Sequence, residues 1–213
     1  MKKQYFRESF LEQDQVKLFR EILGTQKDED LQEINTLEKV IKNKNLEKFL
    51  LNDKFFKKIK SNLKTEHLIF LNRVKILKNR FQYETKYNWH KDCGKKIHSA
   101  IISKNKNFYF KVGVYLQKND KKLGGGVDIL KPFFLDNLSE KNIFKNFLRK
   151  IYYSLKLRFT NNICNMNSGD IVGFSGLVFH RTTPTRLTPE TRIDDKYSFY
   201  FLITNASVLD DVI

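Results

Sequence analysis

Cysteine occurs only twice in the 213 residues, at Cys93 and Cys164, too few for a disulfide framework and without the C-x-x-C spacing of a structural zinc. Both are read as reduced thiols. Long apolar runs are missing as well: none approaches the roughly eighteen residues of a membrane-spanning helix. The opening MKKQYFRESFLEQDQ has lysines but no apolar stretch behind them, so it does not read as a secretory signal, and a soluble, cytoplasmic chain is expected. There is no internal repeat or low-complexity tract. Gly124-Gly125-Gly126 has neither a P-loop lysine pattern nor a following helix, so a tight hairpin turn suffices for it.

What is present is basic and globular. Hydrophobic residues make up 40% and charged residues 30%, which separates the chain from disordered sequences. Forty basic against twenty-four acidic residues give a formal net charge of +16. That excess raises nucleic acid or an anionic membrane as partners, but lysine is spread along the whole chain and no nucleic-acid-binding motif accompanies it. No nucleic-acid partner is expected. A steep loss of binding with rising salt would identify the contrary case, a basic nucleic-acid- or membrane-associated protein.

One domain spanning 1–213 is expected, with residues 1–84 as mainly helical support and 85–205 as a β core. Val16, Phe19, Ile22 and Leu23 recur at helical spacing and Gly24 is placed to end that helix. Leu31, Ile34, Leu37 and Ile41 continue the pattern, whereas HLIFLNRVKIL fits helix or strand equally. After residue 85 the runs NFYFKVGVYLQ, GGGVDIL, GDIVGFSGLVFH and KYSFYFLIT read as strands of a sandwich or barrel. An insertion near 139–158 has the helical stripe Ile143, Phe144, Phe147, Leu148, Ile151, Tyr152 and Leu155 between basic residues, and packing of that stripe on the barrel is expected.

The chemistry concentrates in YNWHKDCG, residues 87–94, because only four histidines exist and one stands two positions from an aspartate. On a strand, His90 and Asp92 project from one face, as two cis ligands must. His180, at the end of the apolar run behind Gly169-Asp170, is a third donor. Two histidines and a carboxylate on one face of an octahedral metal leave three positions open, the arrangement of non-haem Fe(II) oxygenases. His98 and His67 are read as solvated or hydrogen-bonded histidines. Tyr115 and Gln117 share a strand parity that faces either the barrel interior or solvent.

The ordered set Trp89-His90-x-Asp92, FKVGVYLQKNDKKLGGGVDIL and GDIVGFSGLVFHRTTP resembles the phytanoyl-CoA dioxygenase family of Fe(II)/2-oxoglutarate oxygenases over roughly residues 85 to 205. The resemblance implies a mainly β fold with N-terminal helices, its core a double-stranded β-helix of the cupin-like jelly-roll kind. It also implies iron held by His90, Asp92 and His180, and 2-oxoglutarate bound through its keto acid, with the far carboxylate on a basic side chain near the last strand. Arg192 lies twelve residues after His180, close to the family's spacing, while Lys196-x-Ser198 begins the strand KYSFYFLIT with both side chains on one face. Lys196 is favoured and Arg192 stands next; an arginine would grip the carboxylate as a fork, a lysine as a point charge. Where many members have Pro-Gly-Ser-His after the glycine turn, this chain reads KPFFLDNLSEKN, so substrate contacts do not carry over. Asp92 separates the chain from halogenating relatives, which lack that carboxylate. The expectation is a dioxygenase that hydroxylates a small, acidic substrate with dioxygen. The alternative from the same residues is a cupin-like barrel that binds without oxidising.

Overall fold

The computed structural model describes residues 5–24, 44–64, 69–78, 89–90, 109–130, 165–176, 178–186 and 196–204, together with 143, 144, 147, 148, 151, 152 and 155. In chain order the elements are β1 (Tyr5–Ser9), α1 (Gln13–Gly24), α2 (Lys44–Leu50), α3 (Asp53–Leu63) and β2 (Ile69–Lys78). They are followed by β3 (Tyr109–Tyr115), β4 (Val127–Ile129), β5 (Asp170–Ser175), β6 (His180–Thr182) and β7 (Tyr197–Thr204). Five strands form one antiparallel sheet in the order β1-β5-β3-β7-β2, and β4 and β6 form a second, two-stranded antiparallel sheet. The core is therefore β, as expected.

Strand periodicity decides what each face of the large sheet does. Val112 and Val114 on β3, Ile171 on β5, and Phe199, Phe201 and Ile203 on β7 are buried against the helices. Phe19 of α1 stacks on Phe199 with ring centroids 4.9 Å apart, and Phe55 of α3 meets Phe201 at 5.3 Å. The opposite parity, Tyr115, Val172 and Phe174, packs with Val127 and Ile129 of β4 as a second cluster. One face of the sheet thus carries the helices and the other faces the small sheet.

The helices follow from their sequences. In α1 Val16, Phe19 and Leu23 are buried at i, i+3 and i+7, and Gly24 closes the element as predicted. α3 starts where the Asn52 side chain accepts a hydrogen bond from the Phe55 amide at 2.9 Å, and buries Phe55, Ile59, Asn62 and Leu63.

Three expectations need correction or completion. The mainly helical first eighty residues also contribute strands: Tyr5–Ser9 pairs with β5, and within the ambiguous HLIFLNRVKIL the described residues, from Ile69 on, belong to β2. The apolar stripe of the insertion is helical where described, yet Ile143, Phe144, Phe147, Ile151 and Leu155 are exposed rather than packed on the β core. Leu31, Ile34, Leu37 and Ile41, with both cysteines, His67 and His98, lie outside the described residues. Among the described residues no helix is long and apolar enough to cross a membrane.

Candidate active site

His90 and His180 are brought together by backbone pairing. The His90 amide donates to the His180 carbonyl and the His180 amide to the His90 carbonyl, both at 2.9 Å. Residues directly opposite in an antiparallel pair project to the same side. Their rings accordingly lie 4.4 Å apart, tilted by 55°.

The approach is held from outside the ring pair. The Arg181 guanidinium sits 4.7 Å over the Trp89 ring, and its Nε donates to Asp128 Oδ2 at 3.0 Å. Thr183 Oγ1 donates to Asp128 Oδ1 at 2.8 Å. Both carboxylate oxygens of one buried aspartate therefore tie β6 and the residue after it to β4, and the tryptophan ties the His90 segment to β6. In the sequence Trp89, Asp128 and Arg181 were only motif positions; here each fixes the backbone that carries a histidine.

His180 is buried, and its Nδ1 lies 3.1 Å from the Val178 carbonyl. A carbonyl only accepts, so Nδ1 is the nitrogen that carries a proton towards it, which in the neutral ring leaves the lone pair on Nε2, the form in which imidazole ligates a metal. The chemistry of this donor pair fits a divalent metal. Asp92 and Arg192 lie outside the described residues, among which no group of three His, Cys, Asp or Glu side chains forms.

The two histidines open on a cavity of about 170 Å³ between the two sheets. Gln117, Lys196 and Ser198 line it, while Tyr115 sits behind the wall with its hydroxyl 2.6 Å from that of Tyr200, which does reach the cavity. Burial, then the neighbouring Tyr200 and the hydrogen bond to it, hold the Tyr115 hydroxyl well above the usual phenol range. Lys196 is buried; its Nζ donates to the Leu123 carbonyl at 2.8 Å and to the Gly124 carbonyl, and lies 3.5 Å from Asn119 Oδ1. The glycine turn makes this possible. Gly124 and Gly125 have φ of 65° and 76°, and a Cβ on Gly125 would lie 2.7 Å from Lys196 Nζ. Gln117 Oε1 accepts from the Tyr197 amide at 2.8 Å, fixing the start of β7 beside the lysine.

Lys111 on β3 also lines the cavity, 5.1 Å over the Tyr200 ring, and sequence reasoning passed over it. The available signal was its strand parity with Tyr115. Among the described lining residues Lys111, Arg181 and Lys196 are cationic and none is acidic.

Solved structures align with the chain over nearly its whole length. HygX from Streptomyces hygroscopicus, with nickel and 2-oxoglutarate bound, aligns with a TM-score of 0.60 at 14% identity, over 96% of this chain and 84% of that one. EctD from S. alaskensis with bound Fe gives 0.60 at 9% identity, over 97% and 74%. CytC3 with Fe(II) and alpha-ketoglutarate gives 0.59 at 11%, again over 97% and 74%. The chain shares the fold of these three proteins. No family model matches the sequence, and no curated protein does. The likeness is one of architecture, and it agrees with the family that the W-H-x-D and Gly-Asp-to-His segments resemble.

Proposed function

We propose that the protein is an Fe(II)- and 2-oxoglutarate-dependent dioxygenase that hydroxylates a small molecule, built on a double-stranded β-helix. The observation that carries this is the cross-strand pair His90–His180, with Nδ1 of His180 held by a carbonyl, at a cationic cavity. The strand order supports the fold reading, since the histidine-bearing segments pair with each other opposite the large sheet.

His90, His180 and Asp92 would hold the metal, leaving three positions for ligands. When bound, ferrous iron supplies dioxygen activation coupled to oxidative decarboxylation of 2-oxoglutarate. The chain's own part is binding and orientation. The buried Lys196 offers a positive charge to the far carboxylate, and Ser198, on the same face of β7, adds a hydroxyl; Arg192 remains the alternative cation. The cavity is smaller than the roughly 300–1,000 Å³ of drug-sized sites, which suits a five-carbon diacid. A barrel that binds without oxidising would be favoured if neither Arg192 nor Lys196 reached the cavity, and Lys196 lines it.

Anaerobic addition of Fe(II) and 2-oxoglutarate tests the reading. Wild type is expected to develop the visible metal-to-ligand charge-transfer band, and His180→Ala to lose it while remaining folded. No band in folded wild-type protein would remove the oxygenase reading.

A further inference from the structure

We infer that the exposed apolar stripe of the insertion near 139–158 is a docking face, and that its occupant is the surface of a bilayer containing anionic lipid. This stands apart from the oxygenase reading, since the residues of the stripe are not among those lining the cavity.

The described residues of this segment are helical, and they are its apolar ones, recurring every four residues from Ile143 to Leu155. Such spacing gathers them on one side of a helix. Water meets that side unevenly. Ile143 is 85% exposed, Phe144 68%, Phe147 60%, Leu155 52% and Ile151 43%, whereas Leu148 and Tyr152 are half-buried. Among the described residues the other large hydrophobic side chain so exposed is Leu18, on α1. A single exposed apolar residue is ordinary, but five on one stripe mark a surface that joins another.

The charge of the segment selects the occupant. Between residues 141 and 158 the sequence has six basic residues and no acidic one. An apolar stripe interrupted by lysine and arginine is the pattern of a helix that lies in the plane of a bilayer, with phenylalanine and isoleucine among the acyl chains and cations at the headgroups. Anionic lipid adds attraction for each cation held near the surface. A second copy of the chain fits worse, because it would bring two basic segments and two net charges of +16 together. A nucleic acid would meet the cations and leave the stripe in water.

The test is flotation of the intact protein with phosphatidylcholine vesicles, with and without phosphatidylglycerol, beside a Phe144→Ser/Phe147→Ser variant that keeps every charge. Wild type is expected to float with the anionic vesicles, far less with the neutral ones, and to be released as salt rises. The variant is expected to bind the anionic vesicles about tenfold more weakly or worse, with an unchanged urea midpoint because both side chains are already exposed. Ile143→Asn, at the most exposed position, should weaken binding in the same direction. Equal binding by wild type and both variants would show adhesion through net charge alone and overturn the docking face. Absence of wild-type binding would overturn it too; a wild-type dimer that the double variant cannot form would then give the stripe to a second copy. Wild-type binding to single-stranded RNA in preference to the vesicles would assign the segment to nucleic acid and likewise overturn it.

Discussion

Gly113 shows how one residue shapes the cavity without touching a ligand. The absence of a side chain there leaves room for the Tyr200 and Tyr115 rings, which a Cβ would approach to 2.8 and 3.0 Å. Gly113→Ala is expected to cost about 1–3 kcal/mol by overpacking, read as a lower urea midpoint with unchanged m-value. The tyrosine pair behind it makes a second prediction. The Tyr115 hydroxyl is held above the usual phenol range, so the folded state keeps a proton that the unfolded chain gives up near pH 10. Stability from this source is intact below that pH and falls as pH rises beyond it. Between about pH 9 and 11 wild type should lose more stability than Tyr115→Phe, which has no proton to release at this position. Equal losses in the two proteins would show that Tyr115 does not set the alkaline limit.

At the scale of elements, α3 carries the clearest local signals. Its Asn52 cap satisfies the Phe55 amide, so Asn52→Ala should cost about 1 kcal/mol, whereas Phe55→Ala empties a fully buried site between Phe10 and Phe201 and should cost about 3–5 kcal/mol. Chemical denaturation of both variants checks the ratio. Such elements were legible because one chain segment contains the whole pattern: α1 with its terminal glycine, and the alternating runs of β3, β5 and β7. β1 was not legible. Its Tyr5–Ser9 mixes Arg7 and Glu8 with two aromatics, and what makes it a strand is the β5 edge, where Phe6 covers Gly173. The Glu8 carboxylate, bonded to Lys58 and Asn62 of α3, adds a second tie invisible in local sequence. The site divides in the same way. His90 and His180 could be picked out because histidine is scarce and each stands in a recognisable segment. Lys111 could not, since a lysine in an alternating strand reads as a solvent-facing position until the second sheet is known to cover it.

For the whole molecule the consequence lies in where the first core cluster draws its members. Phe10, Phe19, Leu23, Leu50, Phe55 and Ile59, all from residues before β2, pack with Val112, Phe199, Phe201 and Ile203 of the large sheet. The N-terminal elements thus cover the sheet face opposite the cavity, and neither layer buries its apolar side without the other. We propose that the chain folds as a single cooperative unit rather than as a helical domain joined to a barrel. Removing residues 1–24 would take away β1 and α1, with Phe6, Phe10, Phe19 and Leu23, four buried side chains worth roughly 6–12 kcal/mol together. That is comparable with the whole stability of an ordinary domain, about 5–15 kcal/mol. The truncated chain is expected to lack the aromatic circular dichroism of a packed core. The intact protein is expected to unfold in urea with coincident far-ultraviolet and aromatic transitions. Two separated transitions, or a truncated chain that keeps its sheet and still binds Fe(II) with 2-oxoglutarate, would show that the helices are an appendage and that the site stands on the β layers alone.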